Sequence, residues 1–238
     1  MKYFVENKAD PLAKNMENIT PLYTACWNKK ASLETIKYLI SVKSEINIKS
    51  TKQTTPLHCL FRSGNNFEII KYMIENQADP NTLEHSSNTP LHSYFKFHQI
   101  NLNEIKYLFE KKCNLHQKNV RDKTPSCLAF KNHFISIDII EYLLENKVDL
   151  HRHQTSKFSS LHLICRNKSV TPEMVTFLID KKANFNLNTK NKFTPVTLLK
   201  INTFFLDSLK EKNINSKQFF ENLTKNTKEK TRKRKNRN

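Results

Sequence analysis

Nine histidines, five cysteines and the dense patch His151-Arg152-His153 are where this 238-residue chain could do chemistry. Imidazole and thiolate are zinc ligands, and His151-Arg152-His153 could form a site with a third donor. The spacing points elsewhere. His116 and His151 occupy one place in a recurring pattern where Asn47, Asn81 and Asn186 also stand, so they read first as structural loop residues. His58, His92 and His162 each close the same short phrase and read as structural too. The cysteines include no CxxC pair. Cys26, Cys59, Cys127 and Cys165 recur with the pattern, and Cys113 stands where sister segments carry Ala78 and Ala183, so small buried residues are expected. An odd count without a disulfide framework favours a reducing compartment. A single glycine, Gly64, cannot build a phosphate-cradling loop. Glu34 and Glu68 read as solvated helix residues. No catalytic residue, metal site or cofactor is expected.

The pattern that absorbs these residues is a phrase occurring six times: Thr20-Pro21-Leu22-Tyr23, Thr55-Pro56-Leu57-His58, Thr89-Pro90-Leu91-His92, Thr124-Pro125-Ser126-Cys127, Ser159-Ser160-Leu161-His162 and Thr194-Pro195-Val196-Thr197. The steps between copies are 35, 34, 35, 35 and 35 residues. A fixed period of this length means stacked repeats. Such stacks offer long binding faces more often than active sites.

One period shows the elements. Thr55 can cap a helix N-terminus with its hydroxyl. Pro56 suits the first helical position, where its missing N–H costs nothing. Leu57, Leu60 and Phe61 form an apolar stripe, and Ser63-Gly64-Asn65-Asn66 breaks the helix. A second helix over about Phe67–Asn76 is apolar on most sides and must be covered by neighbours. Tyr38, Tyr72, Tyr107, Tyr142 and Phe177 share one position on the second helices. They read as packing residues of a spine, although an aromatic column could also stack bases.

A T-P-L-H phrase opening a helix–turn–helix of this length resembles the ankyrin repeat. Ala78-Asp79-Pro80-Asn81, Val148-Asp149-Leu150-His151 and Ala183-Asn184-Phe185-Asn186 look like that family's loop opening. From the Asp position to the next Thr or Ser the count is ten in every copy. The resemblance covers about residues 1–210. It implies an all-α solenoid of stacked helix-turn-helix units with β-hairpin-like fingers, and protein binding without catalysis on the finger and first-helix concave surface. Two departures stand out. The family's glycine two residues before each Thr is replaced by Asn18, Gln53, Ser87, Asp122, Lys157 and Lys192. Phe61, Phe95 and Phe130 stand where small residues are usual, and are expected to open the stack slightly.

The organisation expected is one repeat domain, 1–224, with a half repeat at 1–19, repeats from 20, 55, 89, 124, 159 and 194, and a capping helix at 216–223. The half repeat lacks a polar cap, so either the chain is a piece of a longer protein or this face meets a partner. Residues 225–238 hold eight Lys/Arg, one acid and no apolar residue, and read as a disordered basic tail.

The formal charge is +18, which favours acidic partners. The last three fingers carry Lys118, Arg121, Lys123, Arg152, Lys157, Lys190 and Lys192, the expected partner-binding residues. The competing reading is that they only aid solubility. In the tail, Lys230, Arg232, Lys233, Arg234, Lys235 and Arg237 form a run of the kind that binds nucleic acid or directs nuclear entry. No apolar h-region follows Met1 and no stretch approaches the length of a membrane span, so a soluble cytoplasmic protein is expected, nuclear if the tail targets it.

Overall fold

The computed structural model describes residues 9–64, 66–151 and 158–235, with side chains as far as 225. Its described residues form thirteen α-helices and group into two compact units that divide between Pro125 and Ser126. The first contains α1 (Pro21–Trp27), α2 (Leu33–Ser41), α3 (Pro56–Ser63), α4 (Phe67–Glu75), α5 (Pro90–Phe97) and α6 (Leu102–Glu110). The second contains most of α7 (Pro125–Ala129), then α8 (Ile137–Glu145), α9 (Ser160–Cys165), α10 (Pro172–Asp180), α11 (Pro195–Lys200), α12 (Thr203–Glu211) and α13 (Ser216–Lys235). The repeats run on without interruption in the sequence, but the fold treats them as two bodies.

Each first helix starts where its Thr or Ser stands. Thr20 accepts from the Tyr23 N–H at 3.3 Å, and Thr194 from that of Thr197 at 3.1 Å. Thr55, Thr89 and Ser159 form capping boxes with the histidine three residues on. The second helices are capped by Ser32, Asn66, Asn101, Ser136, Thr171 and Asn202. Each such cap is worth about 1 kcal/mol.

Most second helices end in a left-handed residue. Gln77 (φ 71°) donates to Ile74 O at 3.1 Å, and the Ala78 N–H reaches back to Met73 O at 2.9 Å. Lys43, Lys112, Lys147, Lys182 and Asn213 repeat this double return, a Schellman motif built without glycine.

In the first unit α1, α3 and α5 pack side by side, with α2 behind α1 and α4 behind α3, while Tyr94 of α5 donates to Glu104 of α6. Leu22, Leu57, Ile36, Leu39, Ile70 and Met73 are fully enclosed. Burying each such side chain contributes about 1.5–3 kcal/mol. Phe61, Phe95 and Phe130 are also fully buried. In the first unit their bulk is absorbed by edge-on packing around Tyr94, at 5.7 Å from Phe61 and 5.4 Å from Phe95.

The second unit closes on α13. Phe219 and Phe220 pack against Phe205, and Leu223 is buried. α13 runs from Ser216 to Lys235 and so extends past residue 224. No glycine or proline interrupts it, and Lys, Arg, Glu and Gln lose little freedom in a helix. The half repeat at 1–8 and Arg237 lie outside the described residues.

Candidate functional site

The loops between repeats form a regular surface. In each described finger an N–H and a carbonyl four residues apart pair: Asn15 with Ile19 (3.1 Å), Ser50 with Thr54 (2.9 Å), Glu84 with Asn88 (3.1 Å), Asn119 with Lys123 (2.9 Å) and Thr189 with Phe193 (2.9 Å). The residue before the closing carbonyl is left-handed in all five: Asn18, Gln53, Ser87, Asp122 and Lys192. These are the positions where the sequence lacks the usual glycine, so the conformation is kept at some steric cost. The fingers are hairpin turns, and no β-strand forms among the described residues. Neighbouring fingers in the first unit are stitched by backbone bonds, Thr51 N–H to Glu17 O (3.0 Å) and Val120 N–H to Ser86 O (3.0 Å).

Side chains fasten finger to helix. The His92 Nδ1 accepts from the Thr89 N–H (3.0 Å), so its proton sits on Nε2, which donates to Lys123 O (3.0 Å). His58 links Thr55 to Asn88 O, and His162 links Ser159 to Phe193 O, in the same way. Burial pushes the imidazoles of His58 and His92 below the usual histidine range. Where histidine is missing, Tyr23 instead bonds the hydroxyl of Thr54.

A second fastening uses the finger-base position. The Asn81 amide donates to Lys112 O (2.9 Å) and accepts from the Asn114 N–H (2.8 Å), and Asn47 does the same to Gln77 and Asp79. His151 fills this role with Nε2, accepting from the Asn184 N–H at 2.9 Å, while its Nδ1 faces Asp149 at 3.6 Å. The Nε2 lone pair is therefore already engaged. His153 lies outside the described residues, among which no cluster of three metal-ligating side chains occurs.

Three of the basic residues singled out by sequence meet on one finger of the first unit. Arg121 is exposed at the tip, Lys118 is paired with Asp122, and Lys123 is half-buried through its bond to His92. Lys190 and Lys192 are exposed on a finger of the second unit. Arg152 and Lys157 lie outside the described residues. Lys230, Arg232, Lys233, Arg234 and Lys235 fall on the last turns of α13.

All five cysteines are buried, and burial pushes the thiols of Cys59 and Cys113 up to about 12. The Tyr38-to-Phe177 column lies on the second helices and is half-buried. Three of its rings carry a lysine, Lys37 over Tyr72 (5.9 Å), Lys71 over Tyr107 (5.7 Å) and Lys181 over Phe177 (5.2 Å). One arrangement escapes the sequence reading altogether. Trp27, Arg62 and Lys96 each stand seven residues after their Thr, and they come together at the ends of α1, α3 and α5 beside Phe97. That shared offset was the available signal.

The fold and site define a helical-hairpin repeat protein with a side-chain-rich finger edge. A family model described as ankyrin repeats (3 copies) matches residues 1–84 and 63–154, and the chain belongs to the ankyrin-repeat family. A search of curated proteins gives no match. Ankyrin repeats are in general protein–protein interaction modules. Among the described residues no helix is long and apolar enough to cross a membrane.

Proposed function

We infer that the chain is a non-enzymatic protein-interaction module or scaffold whose partner docks on the fingers and first helices. One observation carries this reading. The first unit's fingers are held by backbone bonds and by the histidine and asparagine fastenings, which leaves tip side chains such as Arg121 exposed on a rigid frame. A surface already ordered before contact loses little freedom on binding. The positive fingers, Lys118 to Lys123 in one unit and Lys190 and Lys192 in the other, favour an acidic partner and speed its approach. The test is affinity capture from the native cell by the full chain and by a chain ending at residue 224. Partners retained by both belong to the repeats. Arg121→Glu with Lys123→Glu should slow association with such a partner at low salt more than it speeds dissociation. An unchanged association rate would refute the steering role.

The second reading rests on the run of cations at the end of α13. It assigns that segment to nucleic acid or to nuclear entry. Binding of the full chain to a single-stranded oligonucleotide should then fall steeply with salt and vanish on truncation at 224.

A further inference from the structure

We propose that the ends of α1, α3 and α5, on the side of the first unit away from its fingers, form a docking site for an acidic protein segment, with Arg62 as its centre. This rests on the protein-binding reading above and adds a second surface and a partner chemistry. The guanidinium of Arg62 lies over the ring of Trp27 at 5.4 Å and over that of Phe97 at 6.0 Å. Both rings are half exposed, 51% and 50%, although each is large enough to seek burial. Lys96 lies over Phe97 at 4.8 Å, and Lys29 and Lys30 follow in the loop after α1.

The charge of this patch is one-sided. No Asp or Glu occurs within residues 24–33, 59–67 or 93–103. The acids that come next in sequence are already engaged on the second helices: Glu34 with Lys37, Glu68 with Lys71, and Glu104 with the Tyr94 hydroxyl. Among the described residues no carboxylate pairs with Arg62.

A guanidinium attracted to ring faces through its own flat face keeps its in-plane N–H edge for other partners. That edge is the part that takes a carboxylate in two parallel hydrogen bonds. The rings also limit the motion of Arg62, which lowers the cost of ordering it on contact. A segment that places a carboxylate on Arg62 and an apolar side chain against Trp27 or Phe97 satisfies every group of the patch.

Trp27 is the only tryptophan in the chain, so its emission reports on this site directly. The experiment selects random dodecapeptides on the full chain, then titrates enriched peptides while following Trp27 emission, with a twelve-residue oligothymidine as a parallel probe. Enriched peptides should carry acids and shift the emission saturably. They should bind Arg62→Gln about tenfold more weakly, the scale of one lost charge-assisted pair, and Lys217→Gln, an exposed cation of α13, within twofold of wild type. Peptides that bind Arg62→Gln as tightly as wild type overturn the site but leave protein binding intact. Failure to enrich any acidic peptide overturns it as well, and so does stronger quenching of Trp27 by oligothymidine, which would make the patch a nucleic-acid surface. Circular dichroism of both variants checks that the fold is unchanged.

Discussion

His92 bonds the carbonyl of Lys123 through Nε2 at 3.0 Å, so the helix-start phrase of one repeat holds the basic finger of the next. Making this bond together with the one from the Thr89 N–H requires a neutral ring, because Nδ1 must stay free of a proton to accept.

This predicts acid sensitivity. Burial lowers the folded-state pKa of His58 and His92 below 6.5, so between the folded and unfolded values the unfolded chain binds more protons. Their contribution to stability is full above about pH 6.5 and is lost as pH falls through the folded values. Urea midpoints should drop between pH 7.5 and pH 5. Long-range nitrogen–proton spectra should show the Nε2–H tautomer at pH 7.5, with both rings titrating below 6.5. A ring titrating at or above that value would contradict the assignment.

Ser44 should tolerate removal of its hydroxyl. Its Oγ is the one buried side-chain polar atom left without a hydrogen bond among the described residues. Sister repeats place Ala78 and Ala183 there. Ser44→Ala should stabilise the chain by about 1 kcal/mol, since no bond is lost and a desolvated group is removed. Chemical denaturation measures this, and a loss of stability would show that the hydroxyl has a partner.

The left-handed positions should accept glycine. Lys112 (φ 59°) and Gln53 (φ 60°) hold a conformation that a Cβ disfavours. Lys112→Gly and Gln53→Gly should each add about 0.5–1 kcal/mol, whereas Lys111→Gly, at φ −81°, should destabilise by a similar amount. Equal effects at 111 and 112 would remove the backbone explanation.

The thiols should be unreactive until the chain unfolds. All five are buried, and those of Cys59 and Cys113 are raised to about 12. Thiolate is the reactive form, so disulfide reagents should label the native protein far more slowly than the denatured chain. Rapid labelling of a native thiol would point to local opening at that repeat.

The sequence alone determined the register. Thr or Ser at each N-cap, usually with Pro behind it, and the constant ten-residue loop act over a few neighbouring residues, so they locate helix starts and fingers without tertiary information. They also fixed which histidines and cysteines are repeat positions. The finger departures were legible for the same reason, and each described one is left-handed in the structure.

Much of what the sequence left open depends on contacts about 35 residues apart. The second left-handed set, Lys43 to Asn213, carries no glycine to announce it and follows from how each second helix turns back. Periodicity placed the tyrosine column on a helix face, while the lysines over Tyr72 and Tyr107 come from the adjacent repeat. The division at Pro125 likewise has no local signal. Arg62 near both Trp27 and Phe97 belongs to this second group: only packing of α1, α3 and α5 brings one guanidinium within 6.0 Å of two rings drawn from different repeats.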